Sequence, residues 1–212
     1  MVERLQMEEF VNIIKYESHL KRINIGRIIY PITGLGKGNR LGIWVRGCNL
    51  GCEECMSKDL WEFDDKSYMT IQDIYNTILK YKTKIDGVTI SGGEPFLQIK
   101  ELIILIQLIK KNITNDIIIY SGFNKKELKE LFLNDYIKLK SLVSVIITGR
   151  YEMNLNHSIG LAGSINQEYI ICDNNYDLNY LKNYKRKIDI VSINKTLILI
   201  GILNNERRNK SE

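Results

Sequence analysis

The stretch LGIWVRGCNLGCEEC, residues 41–55, decides how the rest of the chain is read. Its first part, Leu41 to Val45, is short, apolar and β-branched, the pattern of a buried strand. Its second part sets Cys48, Cys52 and Cys55 in a C-x3-C-x2-C spacing, with Gly47 and Gly51 supplying backbone freedom for a wrapping loop. Three thiolates on one loop can ligate three corners of a four-iron cluster and leave one iron without a protein ligand. Catalysis at a metal needs such an open position, whereas a structural site is closed. A structural zinc site is the rival reading. It needs a fourth ligand from Cys172, His157, His19 or a carboxylate, and no second C-x2-C pair exists. A redox pair of Cys52 and Cys55 leaves Cys48 unexplained.

Further strand-like runs follow at Gly87–Ile90, Asp116–Tyr120, Leu142–Ile147 and Glu168–Cys172. Helical faces alternate with the early ones. Ile71, Ile74, Tyr75, Ile78 and Leu79 fall on one face, with Thr70 and Asp73 as a shortened capping box. Ile99, Leu102, Ile103, Ile106 and Ile109 repeat the pattern, and Leu128, Leu131 and Phe132 do so more weakly. This alternation predicts an α/β fold of right-handed βαβ units with a mostly parallel sheet of about five or six strands. At 212 residues the chain is short for a complete eightfold barrel, so an open or partial β/α barrel is expected. Ligands of such sheets gather beyond the carboxyl ends of the strands. The cysteine loop, Ser91-Gly-Gly-Glu-Pro95 and Ser121-Gly122 all fall there.

The composition narrows the function classes. With 26% charged and 44% hydrophobic residues, general disorder is excluded. A net charge of +5, its lysines spread through helices, points to a solvated face rather than a nucleic-acid stripe. Leu102–Ile106 is the most apolar run and is far short of the roughly 20 residues of a membrane span. With no targeting segment evident, the expected location is the cytoplasm, where crowded cysteines signal metal or redox chemistry rather than disulfides. Residues 1–22 read as an amphipathic helical extension, 23–203 as the main domain and 204–212 as a polar tail.

Residues 43–55 followed by Ser91-Gly-Gly-Glu-Pro95 resemble the radical S-adenosylmethionine (radical SAM) superfamily. More closely they resemble its small glycyl-radical activating enzymes, above all the activase of anaerobic ribonucleotide reductase. The segments Gly34–Arg40, Met56–Trp61, Gly149-Arg-Tyr151 and Gly163–Gln167 resemble further motifs of that group. The resemblance implies a 4Fe-4S cluster on Cys48, Cys52 and Cys55, with SAM chelating the open iron. Reductive cleavage of SAM would give methionine and a 5′-deoxyadenosyl radical that abstracts hydrogen from the substrate. It further implies a glycyl-radical enzyme as protein substrate and a flavodoxin- or ferredoxin-type electron donor. Ser91, Gly92, Gly93, Glu94, Pro95, Ser121 and Met56 become the expected SAM contacts. The glycines would let the backbone approach the SAM amine, and Glu94 would accept from it. Glu54, Met56 and Thr148 depart from the activase pattern, Thr148 standing where an Asp is usual. Two alternatives stand beside this reading: a small-molecule or peptide-modifying radical SAM enzyme resembling 7-carboxy-7-deazaguanine synthase, and a non-catalytic metal-stabilised binding module. Trp44 and Trp61 are expected in the core and around the cluster, Cys172 as a small buried hydrophobe, and His157 exposed. Arg150 is divided between a SAM or partner contact and a surface role.

Overall fold

The computed structural model describes residues 12–14, 16–193 and 195–204. Nine strands and five labelled helices follow in order: β1 (Arg22–Ile32), β2 (Arg40–Val45), β3 (Tyr68–Thr70), α1 (Ile71–Leu79), β4 (Gly87–Gly92), α2 (Ile99–Asn112) and β5 (Ile117–Ser121). Then come α3 (Lys125–Leu131), α4 (Leu133–Lys140), β6 (Val145–Thr148), β7 (Glu168–Ile171), α5 (Leu178–Lys182), β8 (Ile188–Ile193) and β9 (Thr196–Gly201). A further helical stretch covers 12–14 and 16–20. Of the helical extension expected over 1–22, residues 1–11 and 15 lie outside the described residues and Arg22 already opens β1; of the tail expected over 204–212, residues 205–212 lie outside them.

Seven strands form one sheet in the order β3-β1-β2-β4-β5-β6-β7, and β8 pairs with β9 alone. The four central strands β2, β4, β5 and β6 run parallel, as the βαβ reading requires. The outer strands β1, β3 and β7 are antiparallel to their neighbours. The two ends of the order are not paired with each other, so the sheet is open.

Two-residue alternation sorts the central strands between two faces. Leu41, Ile43 and Val45, with Ile117 and Ile119, pack into the main core with the apolar faces of α1 and α2. Trp44 and Ile118 belong to the opposite face, which α5 and the β8–β9 hairpin help to cover. Thr70 caps α1 as its spacing predicts, its hydroxyl accepting from Asp73 N at 3.1 Å.

The expected count of strands is corrected upward. β1 hides behind Gly26 and Pro31, which break its strand pattern, and β8 and β9 are short apolar runs that carry no flanking strand–helix rhythm. The run Leu142–Ile147 contributes strand only from Val145, because residues 142–144 close the turn after α4. Among the described residues no helix is long and apolar enough to cross a membrane.

At the amino ends of the parallel strands lies a buried ion pair. Arg40, the first residue of β2, is fully buried and grips Asp116 through Nη1 at 2.8 Å and Nη2 at 3.0 Å. Its Nε donates to Thr89 Oγ1 at 2.7 Å, and its remaining hydrogens reach Val88 O, Lys37 O and the Tyr176 hydroxyl. Such a pair is tolerable in the interior only when its donors and acceptors are this fully met. Gly87 makes room for it: a Cβ there would lie 2.4 Å from the guanidinium.

Candidate functional site

The opposite, carboxyl ends of the parallel strands fall at Val45, Gly92, Ser121 and Thr148. The loops beyond β2, β4, β5 and β6 enclose a pocket of about 220 Å³. Cys48, Cys52, Cys55, Met56, Ser91, Gly92, Gly93, Glu94 and Ser121 all line it. Pro95 does not. It is buried at the first position of a 3-10 turn, Pro95–Gln98, that leads into α2.

The cysteine loop leaves β2 under tight control. Gly47 N donates to Leu60 O at 2.9 Å and Cys48 N to Trp61 O at 2.8 Å, while Gly47 O accepts from Glu94 N at 2.7 Å. Gln98 adds a further tie, accepting from Asn24 N at 2.7 Å and donating to Arg46 O at 3.0 Å. All four cysteines are free thiols. Burial raises the Cys48 and Cys52 thiols above their ordinary range, and the neighbouring thiols push both in the same direction. Among the described residues no three His, Cys, Asp or Glu side chains converge closely enough to hold a metal ion as they stand. Thiols that repel as thiolates have no reason to converge until a cation neutralises them. Gly51, at φ +62° and with open space where a Cβ would stand, gives the loop the freedom to draw them inward. Three soft donors on one adaptable loop facing one pocket fit an iron–sulfur cluster.

Ser91–Glu94 does more structural work than its composition suggests. A Cβ on Gly92 would lie 2.3 Å from Val45 O, and one on Gly93 would lie 2.3 Å from Gly47 O. The glycines therefore let β4 close against the root of the cysteine loop, in addition to facing the pocket. Gly92→Ala and Gly93→Ala are each expected to cost at least about 2 kcal/mol, because backbone stands on both sides of the clash. A lower denaturant midpoint at unchanged slope would register this.

Glu94 is almost fully buried, and its carboxylate joins the ends of β4 and β5. Oε1 accepts from Phe96 N and Ser121 Oγ, each at 2.9 Å, and Oε2 accepts from Gly122 N at 2.7 Å. One lone-pair site on Oε2 remains for a ligand donor. Ser121 has given its only proton to Glu94 and accepts from Phe123 N, so toward a ligand it acts as an acceptor. Burial lifts Glu94 to about 7 against the three donors. The folded state thus favours the protonated acid. Its contribution to stability is complete below the unfolded value near 4.5 and disappears as pH rises to about 7, a change of about 3 kcal/mol. In the cluster-free protein, denaturation between pH 4.5 and 7.5 should show this slope, and Glu94→Gln should flatten it.

The two later motifs form one wall. Gln167 Oε1 accepts from Gly163 N at 2.7 Å, and Gln167 Nε2 donates to Gly149 O at 2.7 Å. Asn166 Nδ2 donates to Arg150 O at 2.9 Å. Gly149, Tyr151, Gly163 and Gln167 all face the pocket. Arg150 pairs with Glu127 Oε1 at 3.0 Å and lies close enough to oppose the rise of Cys52. Thr148 is buried, its hydroxyl directed at Glu168 O at 3.4 Å. His157 is exposed, and Cys172 is half-buried at the edge of the core, with desolvation raising its thiol to about 11.

One wall escaped the sequence reading. Leu199, Ile200, Gly201, Ile202 and Leu203 line the pocket from the β8–β9 hairpin and the residues after it. Asp189 docks the hairpin, accepting from Thr33 N, Thr33 Oγ1 and Gly34 N at 2.7–2.9 Å. Arg186 binds the 156–163 loop to the same wall. It donates to Gly160 O, Ile159 O, Ala162 O and Leu203 O at 2.8–3.2 Å and to Asn156 Oδ1 at 2.6 Å. The apolar runs in 188–193 and 196–201, the second unbroken from Leu197 to Ile200, were the available signal, and Lys195 between them has φ +66°.

Comparison with known proteins agrees with this arrangement. The 4Fe-4S single cluster domain family matches residues 35–170. The chain is 30% identical over 144 residues to the anaerobic ribonucleoside-triphosphate reductase-activating protein of Enterobacteria phage T4, covering 66% of this chain and 88% of that protein. It is 38% identical over 79 residues to the pyruvate formate-lyase-activating enzyme of Listeria monocytogenes, covering 35% of this chain. That match spans 32% of the Listeria protein's length. Among solved structures, QueE from Escherichia coli aligns with a TM-score of 0.46 at 21% identity, covering 51% of this chain and 56% of that one.

Proposed function

The chain belongs to the 4Fe-4S single cluster domain family, and from that premise we propose that it is a radical SAM enzyme generating a glycyl radical on a partner protein. The observation that carries this reading is the convergence of the three cysteines, the Gly-Gly-Glu strand end and the Gly149–Tyr151 and Gly163–Gln167 motifs on one pocket. When bound, a four-iron cluster and SAM supply an electron and a 5′-deoxyadenosyl radical. Cys48, Cys52 and Cys55 would hold three irons. Glu94 would offer its remaining acceptor site to the SAM amine, and Ser121 would accept from a ligand hydroxyl. Met56, 46% exposed beside the third cysteine, would cover the adenine. Trp44, Leu50 and Ile200 supply apolar surface that keeps water from the reacting atoms. The name of the phage relative, a reductase-activating protein, supports an enzyme as protein partner; a flavodoxin- or ferredoxin-type electron donor and a cytoplasmic location complete the proposed reading.

The test is anaerobic reconstitution with iron and sulfide, then reduction and addition of SAM. Brown protein that releases 5′-deoxyadenosine is the expected result. Bound zinc with no SAM cleavage would overturn the enzyme reading. Absence of a glycyl radical by electron paramagnetic resonance, with a candidate glycyl-radical reductase present, would overturn the partner.

A further inference from the structure

The β8–β9 hairpin lies beyond residues 35–170, the part shared with the family. Its inner face packs through Ile198, Ile200 and Val191 against Ile29, Ile32 and Trp44. Its outer face is equally apolar but uncovered: Ile190 is 66% exposed, Leu197 71% and Leu199 44%. Ile190 and Leu199 are cross-strand partners, so these side chains form one patch. The patch runs into the pocket, because Leu199 and the 39%-exposed Leu203 belong to its lining. Among the described residues neither β8 nor β9 pairs with the main sheet, so each keeps an open hydrogen-bonding edge.

Charge indicates what fits there. From residue 182 to 203 the chain carries Lys182, Lys185, Arg186, Lys187 and Lys195 against Asp189 alone. The lysines are exposed, whereas Asp189 is turned to Thr33 and Gly34. This short stretch therefore holds nearly all of the chain's +5 excess. Lys187 and Lys195 stand at the two ends of the hairpin and Lys182 and Lys185 precede it, so two copies set face to face would bring like charges together, and residues 204–212, with Arg207, Arg208 and Lys210, carry the same net sign.

We propose that the outer face of the hairpin is the docking surface for the protein substrate, an extended apolar segment flanked by acidic residues. It adds along a hairpin edge, lies across Ile190, Leu197 and Leu199, and enters the pocket past Leu203. Main-chain pairing fixes its direction, and the lysines steer its approach. The proposal rests on the reading that the substrate is a protein.

The test separates binding from chemistry. Reconstituted protein is titrated anaerobically, without SAM or reductant, with a purified anaerobic ribonucleoside-triphosphate reductase, the kind of protein its phage relative is named for activating, and complex formation is measured by calorimetry. Ile190→Glu and Leu197→Glu change exposed side chains outside the pocket lining. They should weaken the complex at least tenfold while leaving partner-free SAM cleavage at the wild-type rate. A Lys185→Glu/Lys187→Glu double variant should weaken it too, and wild-type affinity should fall with added salt. Wild-type affinity in both apolar variants would overturn the proposal, as would no complex with the wild type. So would a wild-type dimer that either variant disperses, which makes the face a self-interface. Failure of wild-type SAM cleavage would instead overturn the enzymatic reading, since the titration requires no turnover.

Discussion

Cys52→Ala, reconstituted and assayed anaerobically, should form 5′-deoxyadenosine at least about 100-fold more slowly than the wild type, given what losing far less direct contacts does to metal sites. The fold should survive. Cys52 is only half-buried on a loop joining strand to turn, and in this structure it takes part in no disulfide. Far-UV circular dichroism and the denaturant midpoint of the cluster-free variant should therefore match the cluster-free wild type. Cys48→Ala and Cys55→Ala should behave alike, because three ligands acting on one cluster fail as a unit. Cys172→Ala should keep the activity, since Cys172 does not line the pocket. Equal loss in all four variants would mean that general thiol chemistry, rather than a three-cysteine cluster, is being measured.

Arg40→Ala should have the largest effect on stability, about 3–5 kcal/mol, because it empties a fully buried site, breaks every bond the guanidinium makes and leaves the part-exposed Asp116 carboxylate without its partner. Domains of this size hold about 5–15 kcal/mol in total, so the variant stands near the limit of folding. Asp116→Ala should be comparable, because it leaves the guanidinium uncompensated among Val88, Thr89 and Tyr176. Asp116→Asn keeps the shape and loses the charge, and should fall between wild type and Asp116→Ala. Equilibrium urea unfolding of the three variants checks the order. The pair joins the amino ends of β2, β4 and β5, whereas the pocket lies at their carboxyl ends. Folded Arg40 variants should therefore keep the wild-type pocket chemistry per folded molecule.

The legible parts of this protein are those whose physics is local. The strand of Leu41–Val45, the Thr70 cap and the cysteine spacing each depend on neighbours within a few residues. Residues whose reason is distant were legible in identity but not in role. Gly92 and Gly93 read as a close approach to a ligand, yet the backbone at Val45 and Gly47 is what forbids a side chain there. Glu94 read as a ligand contact, and most of its acceptor capacity proves to be spent joining two strand ends. Gln167 read as part of a motif, and its partner is the earlier motif, 18 positions away. The hairpin was missed because two six-residue apolar runs, without a sheet to join, look like edge or loop sequence until Asp189 and Arg186 are seen to anchor them. The cluster of Lys182, Lys185, Arg186 and Lys187 just before the hairpin also revises the reading of the lysines as spread through helices.

Arg186 satisfies its guanidinium with main-chain carbonyls and one amide oxygen, drawn from residues 156–163 and from Leu203. The loop behind Gly163 and the strand end behind Leu203 therefore share a single pivot. The loop cannot swing outward without stripping several hydrogen bonds from this cation, and Leu203 cannot without losing its carbonyl bonds to Arg186 and Asn156. Mechanically, the two sides of the mouth behave as one jaw, and a substrate segment that displaces Leu203 must carry the Ile159–Gly163 backbone with it.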